Sequence, residues 1–296
     1  MASLKEVRGR IASVTSTRKI TSAMQMVSAA KLRRAQDAIA GYLPYEQRLT
    51  GILDDFLTFS PEEINFPLTQ NREVKRLAIV VISSNGSLCG AFNSNVIKKT
   101  EEILALYGDM PDKDILFYPI GKKVAESVIK KGHIPQGDYT GQIDKPDYET
   151  VAALADELIH LFLTKQIDSV ALVYNHFKNA AVQQLKVDTL LPLMLHKKKS
   201  KVKIKGPIEA YDFIMEPEMD FLINKLAPKT IRMKLYGALL DSIAAEHGAR
   251  TTAMQTATEN AADLIQELKL KYNKARQEAI TKEIIDIVGG SENLQN

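Results

Sequence analysis

The stretch SSNGSLCGAFNSN, residues 83–95, holds the densest group of side chains that could do chemistry. A glycine-containing turn between a strand and a helix can cradle a phosphate, because backbone N–H groups at a helix N-terminus point at the anion. The spacing here matches neither G-x-x-x-x-G-K-S/T nor G-x-G-x-x-G. The expected role is therefore a tight turn in an α/β sheet, with no nucleotide or other cofactor. Cys89 is the only cysteine, which excludes an internal disulfide framework and fits a reducing compartment. With no histidine or other base beside it in sequence, it reads as a small buried hydrophobe rather than a nucleophile. The histidines at 133, 160, 176, 196 and 247 have no metal-ligand spacing. Neither a catalytic residue nor a metal ligand is expected.

Charge is more informative. Lys197, Lys198, Lys199, Lys201, Lys203 and Lys205 could bind the phosphates of lipid or nucleic acid, or could guard an exposed edge strand. No aromatic residue interleaves with them, which weakens single-strand nucleic-acid binding. Residues 2–48 carry nine basic groups against three acidic ones, whereas residues 229–296 carry nine of each. A basic face on a slim helical segment suits either an acidic protein housing or a polyanion. No apolar run approaches the roughly 18 residues that span a bilayer. The chain opens without the apolar core of a secretory signal, and its amphipathic start runs on past Arg34, unlike a transit peptide.

Three elements must position these groups. Residues 1–58 form one long helix, with Leu4, Val7, Ile11, Val14, Ile20, Met24, Val27 and Leu32 at helical spacings. Gly9 and Gly41 weaken it and Pro44 is a candidate kink. Residues 72–217 change grammar. Strands at 76–84 and 114–121 alternate with helices at 93–107, 122–132 and 148–166. Paired strands follow at 168–179 and 181–193, and a further strand at 210–217. That alternation predicts an α/β sheet domain. Residues 219–288 turn helical again. At 1.5 Å per residue the two terminal helices reach about 85 and 100 Å, and they are expected to pair antiparallel as a coiled coil.

The middle of the second helix, GARTTAMQTATENAA (248–262), holds one large apolar side chain, Met254. Its predicted seam is Ala244, Ala245, Ala249, Thr252, Thr256 and Ala261, facing Ser22, Ala23, Ser28, Ala29 and Ala30. Such a seam buries little apolar area. Either alanine supplies helix propensity alone, or the girth is limited because something surrounds the helices.

The ends decide between these. LKEVRGRIASVTSTRKITSAMQMVSAAKLRRAQ (4–36) and LKLKYNKARQEAITKEIIDIVGG (268–290) resemble the gamma subunit of the rotary F-type ATP synthase, as do SSNGSLCGAFN and ARTTAMQTATENA. The family's turn reads closer to D-R-G-L-C-G, and its terminal signature has Gly-Ala where this chain has Gly290-Ser291. The resemblance implies an α/β fold of Rossmann type between two long, antiparallel coiled-coil helices. It also implies a rotor turning inside a ring of three alpha and three beta subunits. The α/β domain would meet the epsilon subunit and the c-subunit ring, so that contact with the membrane runs only through that ring. The resemblance gives this chain no active site and no nucleic-acid partner, and the start of the sequence, which does not read as a transit peptide, makes the cytoplasmic face of a bacterial membrane the expected location. By similarity, Arg276 and Gln277 form a polar catch with the beta subunit, Thr281 and Glu283 lie one turn on, and Met24 influences coupling. Lys31 and Arg33 are candidates for charge contacts with the stator, and Tyr211, Asp212 and Glu216 for the foot near the c ring. The competing expectation is a nucleic-acid-binding α/β protein with a basic helical hairpin. It requires the lysines near 200 to lie beside the basic face of residues 5–34.

Overall fold

The computed structural model describes residues 4–59, 66–107, 110–193 and 219–292. Its helices are α1 (Leu4–Phe59), α2 (Phe92–Leu106), α3 (Lys122–Lys130), α4 (Gly141–Asp144), α5 (Tyr148–Leu163) and α6 (Met219–Glu292). Its strands are β1 (Leu77–Ile82), β2 (Ile115–Ile120), β3 (Ser169–Phe177) and β4 (Gln183–Leu191). The predicted strand at 210–217 and the lysine run fall outside the described residues, as do Tyr211, Asp212 and Glu216.

The sheet runs in the order β2-β1-β3-β4. β1 pairs parallel with both β2 and β3, and β3 pairs antiparallel with β4. A central parallel strand is covered on both faces, which is why LAIVVI is apolar throughout rather than alternating. On one face Ala78, Val80 and Ile82 meet Leu154, Leu158 and Phe162 of α5 and Ile231, Leu235 and Leu239 of α6. On the other, Leu77, Ile79 and Val81 meet Val96 and Ile103 of α2 and Val124 and Val128 of α3. Asp147 starts α5 by accepting from the Thr150 amide at 2.9 Å, one of the orphan donors of a first turn.

Neither long helix breaks where propensity says it should. α1 continues through Gly9, Gly41 and Pro44, and α6 through Pro228. A proline inside a helix costs about 3 kcal/mol. At Pro228 that cost is offset by Ile223, Ala227 and Ile231, each almost wholly buried on the sheet side. Near Pro44, the Tyr42 hydroxyl donates to the Met233 carbonyl. The Tyr42 ring meets Tyr236 edge-on at 5.5 Å, and Lys229 lies 5.2 Å over Tyr45. Numbers rise along α1 as they fall along α6, so the two helices are antiparallel here. Burial pushes the Tyr42 phenol well above its ordinary pKa, keeping it a neutral donor.

The chain forms two compact units, divided at Ala29/Ala30 and Ala249/Arg250. The unit containing the sheet is described above. In the other, the start of α1 and the end of α6 are joined by the 2.8 Å bond between the hydroxyls of Thr21 and Thr258. Met254, Ala261, Ile265 and Leu268 are buried along α6, as are Val7 and Ser28 along α1. With Thr258 between them, the α6 positions step by four and three, the a/d rhythm of a coiled-coil seam. This corrects the predicted seam. Thr252, Thr256, Ala23, Ala29 and Ala30 are exposed, because Met254 and Thr258 on α6 and Ser28 on α1 take the inward stripe beside them.

Candidate functional site

The 83–91 turn leaves the C-terminal end of β1, beside the start of α3. That is where an open parallel sheet usually binds a ligand, yet the donors needed for a phosphate are already occupied. The amide of Lys122 donates to Asn85 Oδ1 at 3.0 Å. That of Lys123 donates to the Ser84 carbonyl at 3.1 Å, and that of Val124 to Ser83 Oγ at 3.0 Å. Asn85 Nδ2 in turn reaches the Thr140 carbonyl at 2.9 Å and Asp144 at 2.8 Å. The turn is a cap for α3 rather than a cradle. Leu88 and Gly90 both take positive φ, which aims Cys89 inward.

Cys89 and Phe92 pack on Ala245 and Ala249 of α6, with Phe177 at the end of β3 beside them. A Cβ placed on Gly248 would lie 2.9 Å from Phe177 Cε2 and 3.4 Å from Ala180 Cα. From Ser242 through Ala249 every residue of α6 is buried. The reading of this stretch as slim for the sake of an outer sleeve is therefore corrected up to Ala249. Ala245, Gly248 and Ala249 are small because the chain's own turn and β3–β4 hairpin close on the helix there. Gly248→Leu is expected to lower stability by about 2 kcal/mol through overpacking, read as a fall in urea midpoint. An unchanged midpoint would show that Phe177 yields freely.

Past Leu268 the character of α6 changes. Leu270 is 71% exposed and Ile280, Ile284, Ile285 and Ile287 are 44–66% exposed. Arg276, Gln277, Thr281 and Glu283 are exposed on the same stretch, Met24 is half-buried on α1, and Lys31 and Arg33 are exposed. A groove of about 860 Å³ between α1, the β3–β4 pair and α6 has polar groups already paired with each other. Tyr174 donates to Asp188 at 3.0 Å, and His176 Nδ1 lies 2.5 Å from Asp241. Sequence reasoning passed over Asp241, which no motif marks. Among the described residues no group of three or more His, Cys, Asp or Glu is placed to hold a metal.

The family described as ATP synthase matches residues 3–294. An ATP synthase gamma chain from Phocaeicola vulgatus is 54% identical over 98% of this chain and 99% of its own length. This chain belongs to the ATP synthase gamma-chain family. Gamma chains from Bacteroides fragilis and Bacteroides thetaiotaomicron agree at 51% and 48% identity, each over 98% of this chain and 99% of the relative. The fold is shared with the rotor of the Euglena gracilis mitochondrial ATP synthase. In one structure the TM-score is 0.62 at 19% identity, covering 94% of this chain and 98% of that one. The comparisons give no support to the nucleic-acid-binding alternative, whose required lysines lie outside the described residues. No helix among the described residues is long and apolar enough to cross a membrane.

Proposed function

We propose that the chain is the central-stalk rotor of a proton-translocating ATP synthase, passing torque between the membrane c ring and a catalytic hexamer of three alpha and three beta subunits. Full-length kinship carries the reading, since a gamma chain 54% identical aligns over 98% of this chain. Residues 1–58 and 219–288 are the shaft. Residues 72–217 carry the contacts to the epsilon subunit and the c ring, with Tyr211, Asp212 and Glu216 in the foot. Nucleotide chemistry belongs to the beta subunits, and this chain is a non-catalytic part of the enzyme at the cytoplasmic face of the bacterial membrane.

The exposed isoleucines of the last turns of α6 support this reading. An apolar stripe left exposed among the described residues suits a close-fitting housing. So does the weak seam at Met254, Thr258 and Ala261, which a housing would reinforce. Arg276 and Gln277 then form the polar catch with the beta subunit, Thr281 and Glu283 extend it, and Lys31 and Arg33 meet charges of the stator. Capture of the tagged chain from its own cells should bring down alpha and beta subunits together. A chain that emerges without them, in a preparation where the intact synthase is present, sinks the proposal.

Met24→Lys tests the coupling role. A lysine on this half-buried face draws its ammonium toward water or an acidic neighbour. Protons pumped per ATP hydrolysed should fall about threefold while hydrolysis itself continues. An unaltered ratio in membrane vesicles removes Met24 from the coupling path.

A further inference from the structure

We infer that Asp241, together with the enclosed segment Ser242–Ala249, is the clamp through which torque enters α6 from the sheet domain. The inference rests on the rotor reading and deepens it, naming the place where that torque must cross from strand to shaft. Asp241 is the positioning residue. Its Oδ1 accepts from the backbone amide of Phe177 at 2.8 Å, and its Oδ2 lies 2.5 Å from His176 Nδ1. One carboxylate therefore holds two consecutive residues at the end of β3. Gly248 lies seven residues further on, about two helical turns or 10 Å along the axis, and there the ring of Phe177 fills the notch left by the missing Cβ.

Resistance to twisting about a helix axis requires a cross-section that is not round. A uniform alanine helix presents nearly the same surface at every angle, whereas a bulky ring seated on a glycine does not. Turning α6 by one residue would bring a side chain to the Gly248 position, where even a single Cβ stands 2.9 Å from Phe177. Enclosure of Ser242–Ala249 on all sides keeps the helix from swinging out of the notch. Cys89 and Phe92 close the clamp against Ala245 and Ala249. This gives the 83–91 turn a second use besides capping α3. Hydrogen bonds to a charged acceptor are stronger than neutral ones, so the Asp241 pair sets the angle and the packed ring bears the load.

The test uses the whole synthase in sealed vesicles, reading protons pumped per ATP hydrolysed as the opposing gradient is raised. With Asp241→Ala the ratio should stay near that of the parent enzyme when the gradient is collapsed and fall clearly, about threefold, at the highest gradient, because both bonds that hold β3 to α6 are lost. Asp241→Asn keeps an acceptor for the Phe177 amide and should recover most of the loss, with His176→Ala falling between. A merely structural role would lower the amount of assembled enzyme without making the ratio depend on gradient. A ratio independent of gradient in assembled Asp241→Ala enzyme overturns the clamp. If that variant does not assemble, His176→Ala is judged by the same rule, because its side chain is 37% exposed and one of the two bonds remains. Failure to co-purify with catalytic subunits would instead strike the rotor reading, before any ratio is read.

Discussion

Replacing Gly121 with alanine should lower the stability of the chain by about 4 kcal/mol, a large part of the 5–15 kcal/mol typical of a folded protein. Two costs combine. Gly121 has φ 107° and ψ 146°, a region open essentially to glycine alone, and placing another residue there costs on the order of 1–3 kcal/mol. The added Cβ would also stand 2.2 Å from the Ser83 carbonyl oxygen and 2.8 Å from its carbon. Ser83 has little freedom to retreat. Its amide donates to the Ile120 carbonyl at 2.8 Å, and its hydroxyl accepts from Val124 at 3.0 Å. Overpacking of this kind adds about 1–3 kcal/mol. Gly132 is the internal control, because it has φ 89° but no atom within 4 Å of an added Cβ. Urea unfolding of the two alanine variants separates strain from collision. Equal midpoints would mean that the Ser83 contact costs nothing.

Simultaneous replacement of Arg276 and Gln277 with alanine should leave the free chain as stable as before and slow proton-driven ATP synthesis about tenfold. Both side chains are exposed on a helix, where surface substitutions change stability by about 0.5 kcal/mol or less and alanine favours the helix. Any large effect must therefore come from a partner. Hydrogen bonds from an arginine to a carboxylate contribute about 1.5–3 kcal/mol each, and a tenfold change in rate corresponds to roughly 1.4 kcal/mol. The measurement is the initial rate of synthesis in vesicles energised by a defined gradient, normalised to assembled enzyme. Parent-like rates would end the assignment of these two residues to the catch.

The two predictions depend on different levels of information. The Gly121 effect is invisible in sequence, where KKVAESVIKK after a glycine reads only as the start of a short helix. It emerges once the parallel pairing of β1 and β2 brings Ser83 against residue 121. The Arg276–Gln277 effect comes from resemblance at the end of the chain, and the free chain adds only that both side chains are open to a partner.

Local rules carried most of the architecture. Long helical periodicity marked α1 and α6. A run of six apolar residues marked β1 as covered on both faces, and strand–helix alternation marked the sheet domain. These features are legible because each depends on residues within a few positions of one another. The start of α2 came within one residue, and Cys89 proved buried as its surroundings suggested.

What tertiary structure decided is where small residues face. In residues 244–262 alanine, glycine and threonine occupy several neighbouring stripes of the helix, so one large apolar side chain, Met254, is too little for periodicity to distinguish inside from outside. Pairing through Thr21 and Thr258 selected one stripe and left Thr252 and Thr256 in water. Contacts from residues far off in sequence selected another use for Ala245, Gly248 and Ala249, which receive Cys89, Phe92 and Phe177. The bond between Asp241 and Phe177 spans 64 positions, and an aspartate on a helix carries no local mark of such a partner. A sequence records that room has been left; only the folded chain shows what fills it.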